Sequence, residues 1–301
     1  MTIACTFGYS KPQTVEEALR LLARRVGGGI MPLAGGTDLV AWLRDGAVSP
    51  GHLVDLKGLK ELRGIRLVKG GLWLGASTTF SEIAESPLVR RHAPILTEAA
   101  GMVASVGIRN RATVAGNICS AVPCCDSGPV LLVYDAQLHL ATRQGPRTMP
   151  VTRWFKGPRA TALPKGAILV GILIPTGRHA GAFAKLKRYR GEDLAQASVA
   201  VRVDSRGNWQ VAYGSVAPTP LRGPKVEKLL KGRKLPEADL IEQAVKIGDT
   251  EIAPITDIRG SEVYRRMMVG VMLRRTIQLA ARRLAGEGPD YGINILEEEA
   301  S

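Results

Sequence analysis

The stretch Leu33-Ala34-Gly35-Gly36-Thr37-Asp38-Leu39-Val40 follows an apolar, strand-like run that begins at Ile30. Two adjacent glycines interrupt this run, and a hydroxyl and a carboxylate precede the return to apolar residues. Glycine has no Cβ, so the backbone of such a loop can come close to a ligand. Successive N–H groups that point the same way favour an anion, most often a phosphate. By itself, however, the octet is more typical of a simple turn than of a phosphate site.

The length and hydropathy of the chain limit the classes of protein to which it can belong. With 301 residues it can hold two or three modest domains. A hydrophobic fraction of 45% and a mean hydropathy of +0.03 are typical of a globular protein with a core. No apolar run approaches the ~20 residues that a membrane span needs, and the first residues lack the features of a signal peptide. These features predict a soluble, cytoplasmic protein without a membrane span.

The charge of the chain is strongly positive. There are 41 Lys and Arg against 27 Asp and Glu, a net charge of +14, so a nucleic-acid-binding protein must be considered. Aromatic residues make up only 5%, no nucleic-acid motif is present, and the basic residues are spread along the chain. We therefore favour a basic surface that faces solvent or acidic partner subunits, with a nucleic-acid-binding protein without a cofactor as an alternative.

Secondary-structure signals divide the chain into regions. Residues 1–57 predict a small α/β unit: a capping box at Thr14 and Glu17 starts a helix, and short strands flank the glycine loop. Residues 58–176 predict an α+β unit, with a hairpin around Gly70 and a clear strand that ends at Pro175.

The remaining residues predict a third unit and a tail. In residues 177–285, a hairpin signature at 204–208 and a long amphipathic helix from Glu262 to Leu284 predict a further α+β domain. Residues 286–301 are polar and end in three glutamates and two small residues, which predicts a flexible tail.

A second small-residue loop, Thr113-Val114-Ala115-Gly116-Asn117, stands roughly eighty residues after the first, and Asp126 follows it. Its small residues again permit close backbone approach, and the Asn side chain offers a donor and an acceptor. Two such loops suggest two walls of a site for one long ligand with a diphosphate, whose ribose or ribityl hydroxyls could donate to Asp126. Alternatively, Asn117 and Asp126 only satisfy local backbone groups.

Three separated motifs together resemble one family. Ala34–Leu39, then Thr113–Ile118 with Asp126, then Asp257–Arg266 are similar to the FAD-binding medium subunit of molybdenum hydroxylases, the xanthine dehydrogenase and carbon monoxide dehydrogenase family. The resemblance covers nearly the whole chain in the right order. It implies an α+β protein: a vanillyl-alcohol-oxidase-type FAD-binding fold of two N-terminal subdomains, followed by a C-terminal α+β domain.

The same resemblance implies roles for single residues. Leu33 to Val40 and Thr113 to Asn117 would hold the FAD diphosphate, mainly through backbone amides, and Asp126 would bind hydroxyls. Further contacts with the flavin would come from Val103, Leu169 and Lys185. The positive charge of Lys185 would stabilise reduced, anionic flavin; an ordinary surface lysine is the alternative. No catalytic acid or base is assigned.

The resemblance also implies partners. A large subunit would hydroxylate the substrate at a molybdenum cofactor, and a small subunit with 2Fe–2S clusters would pass electrons to the FAD of this chain. NAD or another acceptor would then receive them. Neither the molybdenum-binding region nor the cysteine runs of iron–sulfur proteins occur in these residues. A stand-alone FAD-dependent oxidase of the same fold is the alternative.

Three cysteines, Cys119, Cys124 and Cys125, depart from the family pattern, which often has one cysteine here. A subgroup that resembles the 4-hydroxybenzoyl-CoA reductases carries an extra iron–sulfur cluster on an inserted loop that begins near this point, and this chain lacks the insertion. A cluster needs four thiolates, and Cys5 would have to supply the fourth. We therefore predict small, soft side chains packed near the loop and no metal, with an extra cluster as the alternative.

Overall fold

A computed structural model describes residue 3 and residues 5–189, 191–292 and 294–296. Within these ranges, no helix has both the length and the apolar character that crossing a membrane would require. Helices and strands are mixed along the chain, and the strands form separate sheets. The predicted α+β class is confirmed.

The first unit is a small parallel sheet with two helices. Its elements are β1 (Gly8–Ser10), α1 (Val15–Leu22), β2 (Ile30–Leu33), α2 (Thr37–Arg44) and β3 (His52–Asp55). The strand order is β1-β3-β2, and both pairings are parallel. Since α2 begins just after β2 ends, the first glycine loop lies at the carboxyl end of a parallel strand, where α/β units usually bind ligands.

The second unit surrounds an antiparallel sheet. Its elements are β4 (Ile65–Val68), β5 (Gly71–Gly75), α3 (Phe80–Glu85), α4 (Pro87–His92), α5 (Pro94–Gly101), α6 (Val106–Arg109), α7 (Val114–Ser120), α8 (Ser127–Val133), β6 (Gln137–Thr142), β7 (Gly145–Pro150), β8 (Phe155–Gly157), β9 (Ala160–Thr161) and β10 (Ile168–Ile174). The main sheet has the order β4-β5-β10-β6-β7. Its central strand, β10, is apolar because helices and neighbouring strands bury it.

The third unit packs helices on a four-stranded antiparallel sheet. Its elements are β11 (His179–Leu186), β12 (Ala197–Asp204), β13 (Trp209–Gly214), β14 (Leu221–Arg222), α9 (Pro224–Leu230), α10 (Ala238–Asp249) and α11 (Glu262–Ala285). Ser261 caps the start of α11, and Gly286 ends it in the left-handed conformation. One face of α11, including Val269, Leu273 and Ile277, packs in the core of this unit. The predicted long helix is present and extends one residue further.

A buried ion pair joins the second and third units. Glu98 on α5 and Arg283 on α11 lie 2.8 Å apart, with side chains 0% and 4% exposed. Glu98 also accepts a hydrogen bond from the Phe183 amide at 3.1 Å, and Arg283 donates to the Gly181 carbonyl at 2.8 Å. Burial raises the pKa of Glu98, and the Arg283 charge offsets only part of that rise. The pair therefore ties α5 and α11 to the edge strand β11.

The segment predicted as a flexible tail is described at 286–292 and 294–296, and the rest lies outside the described residues. In the described part, the Tyr291 hydroxyl accepts from the Gly181 amide at 3.1 Å. Asn294 donates from its side-chain amide to the Lys185 carbonyl at 3.2 Å and is 8% exposed. This part of the segment thus lies against β11.

Candidate functional site

A cleft of about 540 Å³ opens where the glycine loops of the first two units meet the start of the third unit. Most of the residues that the sequence singled out line it: Ala34, Gly35, Gly36, Thr37, Asp38, Leu39, Val103, Thr113, Ala115, Gly116, Asn117, Asp126, Leu169 and Lys185. The structure therefore brings together two loops and four single residues that lie far apart in the chain.

Three of the predicted site residues do not line the cleft. Leu33 packs against a small core cluster that contains Leu39 and Leu53. Val40 is 43% exposed on α2, and Val114 is fully buried in the main core. Their side chains support the two loops or face solvent, so only their main chain belongs to the loops at the cleft.

The first loop places a helix N-terminus at the cleft. Gly36, with φ of 81°, is the N-cap of α2, and the left-handed backbone there favours glycine. The first N–H groups of a helix have no intrahelical partner, and the helix dipole adds a partial positive charge. Because Thr37 and Asp38 also line the cleft, an anion bound here would meet the start of α2.

The second loop begins another helix, and several of its polar groups already have hydrogen-bond partners inside the chain. The Thr113 hydroxyl accepts from the Gly116 amide at 2.9 Å and caps α7, and the Val114 amide donates to the Thr78 carbonyl at 3.2 Å. The Asn117 side-chain oxygen accepts from the Ser127 hydroxyl at 2.6 Å. The Asn117 amide nitrogen can therefore still donate to a ligand.

The two loops touch through their backbones. A Cβ built on Gly35 would overlap the Arg111 carbonyl oxygen and lie 3.0 Å from the Ala112 Cα atom. A Cβ on Gly116 would lie 3.9 Å from the Ala34 Cβ atom. The glycine at position 35 thus lets the first loop pack directly on the residues that precede the second.

Replacing Thr113 by valine tests the cap of α7. The shape of the side chain is kept, but the Gly116 amide loses its acceptor, so we expect the free energy of unfolding to fall by about 1 kcal/mol. Urea unfolding of the purified chain measures this loss. Ser105→Ala is the matched control, because Ser105 precedes α6 without a side-chain capping bond. Equal losses in the two variants would contradict the assigned role.

A buried ion pair lies in the cleft. The Lys185 ammonium on β11 is 2.7 Å from Asp126 Oδ2, and the two side chains are 2% and 8% exposed. Lys185 also donates to the Met102 carbonyl at 3.0 Å. Burial raises the pKa of Asp126, and the Lys185 charge offsets part of this rise. Asp126 therefore neutralises the lysine, and the idea that Lys185 offers a free positive charge to a flavin stays a prediction.

The second oxygen of the same carboxylate is open in the sense that its hydrogen-bonding capacity is unfilled and a ligand could fill it. Asp126 Oδ1 is buried and has no hydrogen-bond partner within the described chain. A buried acceptor without a partner is costly, unless a ligand hydroxyl donates to it. The neighbouring lining is apolar, since Val103 and Leu169 are 8% and 4% exposed. A ligand with both hydroxyls and an apolar ring would satisfy this part of the cleft.

Sequence reasoning missed several lining residues. They lie outside the motifs that the sequence offered: Trp42, Phe80, Ile108, Leu163, Tyr189 and Asp193. Of these, Trp42 stacks under the Arg159 guanidinium at 4.7 Å. Apolar side chains on helices and loops predict burial in general, and no local signal distinguishes the ones that border a cleft.

The cysteines near the second loop are packed and protonated. Cys119 and Cys124 line the cleft, and Cys119 also packs against the main core. Burial raises the pKa of Cys119 to about 12 and raises that of Cys125 as well. Among the described residues, no group of three or more His, Cys, Asp and Glu side chains is arranged to hold a metal ion. Thiols in this state are poor nucleophiles.

These features fit a dinucleotide better than a small anion. The start of α2 and the Asn117 amide suit a diphosphate, the open Asp126 oxygen suits a hydroxyl, and the apolar lining suits an aromatic ring. A volume of about 540 Å³ also lies in the range of cofactor sites.

Comparisons with known proteins agree with this chemistry. Residues 5–177 match the FAD binding domain in molybdopterin dehydrogenase, and residues 181–280 match the CO dehydrogenase flavoprotein C-terminal domain. The chain is 33% identical to the carbon monoxide dehydrogenase medium chain of Hydrogenophaga pseudoflava over 285 residues, covering 93% of this chain and 98% of that protein. It is 31% identical to the glyceraldehyde dehydrogenase medium chain of Sulfolobus acidocaldarius over 280 residues, covering 91% and 98%.

Solved structures show the same fold. Reconstituted CO dehydrogenase from Oligotropha carboxidovorans contains a chain that matches with a TM-score of 0.89 and 31% identity, covering 94% of this chain and 100% of that one. The predicted FAD-binding fold of the vanillyl-alcohol-oxidase type, followed by a C-terminal domain, is confirmed, and so is the resemblance on which it was based. The chain belongs to the family of FAD-binding medium subunits of the molybdopterin dehydrogenases, of the carbon monoxide dehydrogenase and xanthine dehydrogenase type, and is an oxidoreductase flavoprotein subunit.

Proposed function

We propose that this chain is the electron-transfer subunit of a heteromeric molybdenum-dependent hydroxylase or dehydrogenase. It takes electrons from 2Fe–2S clusters on a small subunit and passes them through FAD to NAD or another acceptor, while a large subunit oxidises the substrate at a molybdenum cofactor. The observation that carries this proposal is the cleft, in which a helix N-terminus and an open, buried carboxylate oxygen match the diphosphate and hydroxyls of FAD.

The residues of the chain have separate tasks at this cleft. The start of α2 and the Asn117 amide hold the diphosphate, and Asp126 Oδ1 accepts a hydrogen bond from a hydroxyl of the cofactor. Val103 and Leu169 cover the ring and exclude water from it, and the Lys185 ammonium, 2.7 Å from Oδ2, favours the ionised form of Asp126 and orients it. Bound FAD supplies the exchange between one-electron and two-electron carriers, which no side chain can perform.

The names of the relatives support the partners in this proposal. The medium chains of carbon monoxide dehydrogenase and glyceraldehyde dehydrogenase align with this chain over nearly their whole length. A medium chain implies other chains in the same complex. The terminal acceptor and the location of the complex in the cytoplasm stay predictions of the sequence.

FAD binding by the purified chain tests the proposal. We expect one FAD per chain, with the absorption spectrum of a bound flavin. The only activity expected of the isolated chain is the reduction of a dye by NADH, and it should not turn over an organic substrate. A folded chain that stays colourless with excess FAD would contradict the proposal, and turnover of an organic substrate by the single chain would favour a stand-alone oxidase.

The Asp126→Asn variant sharpens this test. It halves the acceptor capacity of the buried group, and a hydrogen bond to a charged group contributes about 1.5–3 kcal/mol, so FAD affinity should fall by roughly 10-fold to 100-fold. Asp135→Asn is the matched control, because that carboxylate is 52% exposed and pairs with Arg222 outside the cleft. Equal FAD affinity of the Asp126 variant and the wild type would remove Asp126 from the site.

A further inference from the structure

Residues 102–104, which we call the wall segment, connect the end of α5 to the residues before α6. Val103 and Ala104 line the cleft, and Val103 also packs in the main core. Because α5 ends at Gly101, the carbonyl groups that follow it have no partner within a helix. The conformation of the wall segment therefore depends on donors from elsewhere in the chain.

Three consecutive carbonyl groups of the wall segment accept hydrogen bonds from cationic side chains. Lys185 Nζ donates to the Met102 carbonyl at 3.0 Å. Arg109 Nη1 donates to the carbonyls of Val103 and Ala104, at 2.8 and 2.7 Å. Hydrogen bonds from a charged donor are shorter and stronger than those between neutral groups. Cations thus hold the carbonyls of the wall segment, while two of its side chains line the cleft.

The backbone of Ala104 is strained. Its φ is 36°, in the left-handed region that a residue with a Cβ rarely adopts. Such a conformation persists only where the surrounding contacts determine it, and strain of this kind is concentrated at functional sites. Arg109 supplies these contacts, since it bonds the peptide carbonyls on both sides of the Ala104 Cα atom. Without this bridge the two peptide groups could rotate to a relaxed conformation.

The two cations differ in their other contacts. Lys185 also pairs with Asp126 at 2.7 Å, so a buried carboxylate fixes its position. Arg109 is the last residue of α6, and the side-chain hydrogen bonds described for it both go to the wall segment. Holding this segment is therefore the role that the geometry of Arg109 supports.

We propose that Arg109 is a positioning residue of the flavin subsite. It holds the wall segment, and with it the Val103 side chain, in the conformation that covers the flavin ring. This inference rests on the proposed function of the cleft, because the contact between Val103 and the ring belongs to that function. Among the described residues, those that line the cleft do not include Arg109, so it acts through Val103 and Ala104.

Arg109→Met tests this role, because methionine keeps much of the length of the side chain and removes both hydrogen bonds. The amides of Met102 and Val103 donate to the carbonyls of Ala99 and Ala100, at 3.1 and 3.3 Å. In the variant without FAD, these two amides should exchange their hydrogens faster, while exchange in the rest of the main core stays unchanged.

FAD binding by the same variant measures the consequence for the cofactor. If the wall segment adopts its present conformation in about a tenth of the unliganded chains, the affinity for FAD should fall roughly tenfold. The visible absorption band of the FAD that still binds should also lose fine structure, because water then reaches the flavin ring. A residue that only stabilises the fold would lower the melting temperature without changing this band.

Arg109→Lys and Arg91→Met are the matched variants. Lysine keeps a charged donor, so Arg109→Lys should recover at least part of the FAD affinity and of the fine structure. Arg91, like Arg109, stands in the last turn of a short helix, but it is exposed and lies outside the cleft lining. Arg91→Met should therefore match the wild type in hydrogen exchange, FAD affinity and spectrum.

Two results would overturn the proposal. One is wild-type hydrogen exchange, FAD affinity and spectrum in Arg109→Met. The other is an equal loss in Arg109→Lys and Arg109→Met together with faster exchange throughout the chain, as expected of a purely structural arginine. If Arg109→Met does not fold, Arg109→Gln takes its place, since its amide keeps a weaker donor. Neither result touches the proposed function, which fails only if the wild-type chain takes up no FAD.

Discussion

The Gly35→Ala variant is expected to lose both stability and FAD. The added Cβ would overlap the Arg111 carbonyl oxygen, so the first loop would have to move away from the residues before the second. Such a clash with backbone costs about 3 kcal/mol, the upper end of what overpacking usually costs. The start of α2 would then no longer face the ligand, and we expect the FAD content of the purified chain to fall at least tenfold.

Two other glycines provide graded comparisons for this variant. Gly36→Ala places a side chain at a φ of 81°, and its Cβ would lie 3.0 Å from Leu33 Cδ1, the end of a flexible side chain, so it should cost roughly 1–2 kcal/mol. Gly27→Ala should be almost neutral, because no atom lies within 4 Å of its Cβ position. Urea unfolding without FAD and flavin absorbance after purification measure the series. Wild-type stability and FAD content in Gly35→Ala would contradict the backbone contact.

Replacing Arg283 by methionine should produce the largest loss of stability. The side chain keeps much of its apolar length, but Glu98 is left buried at 0% exposure without its cation. Removing one partner of a buried pair typically costs 3–5 kcal/mol. Thermal or urea unfolding of the purified chain measures this cost. Arg274→Met is the matched control, because its pair with Glu242 is at the surface, with side chains 36% and 48% exposed, and such pairs contribute at most about 1 kcal/mol.

The pH dependence of this loss identifies its cause. Burial already raises the pKa of Glu98, and removal of the Arg283 charge would raise it further. A buried carboxyl with a raised pKa destabilises the folded state only when it is ionised. Its cost to the free energy of unfolding is therefore absent below the unfolded pKa of about 4.3 and grows as the pH rises towards the folded pKa. The difference in the free energy of unfolding between variant and wild type should therefore be large at pH 7 and small near pH 4. A gap that is constant with pH would point to lost packing instead.

Much of the fold could be predicted from local patterns. The hairpins on either side of Gly70 and Gly207, the central strand before Pro175 and the long helix α11 are all present. Each is determined by the local pattern of apolar residues and by turn or capping residues within a few positions. The predicted capping box is half formed: Thr14 accepts from the Glu17 amide at 3.1 Å, while Glu17 accepts from the Gln13 amide at 2.8 Å instead of from Thr14.

The segments that form the candidate site could be predicted from the sequence, but their arrangement in space could not. The glycine loops carry a local signature, because close backbone approach needs small residues. The pairing of Lys185 with Asp126 carries none, since 59 positions separate them and either side chain alone resembles many others. The same holds for the open Asp126 oxygen, which appears only once the partners of every neighbouring group are known.

By itself, the sequence determined the elements, the glycine loops and, through its three motifs, the family, because these depend on residues that are neighbours in the chain. Only the tertiary structure decided that Gly35 packs on Arg111, that Thr113 caps its own helix, and that Asp126 offers one oxygen to Lys185 and keeps the other open. These facts depend on distances between residues that are remote in the chain, and packing of the whole core sets those distances.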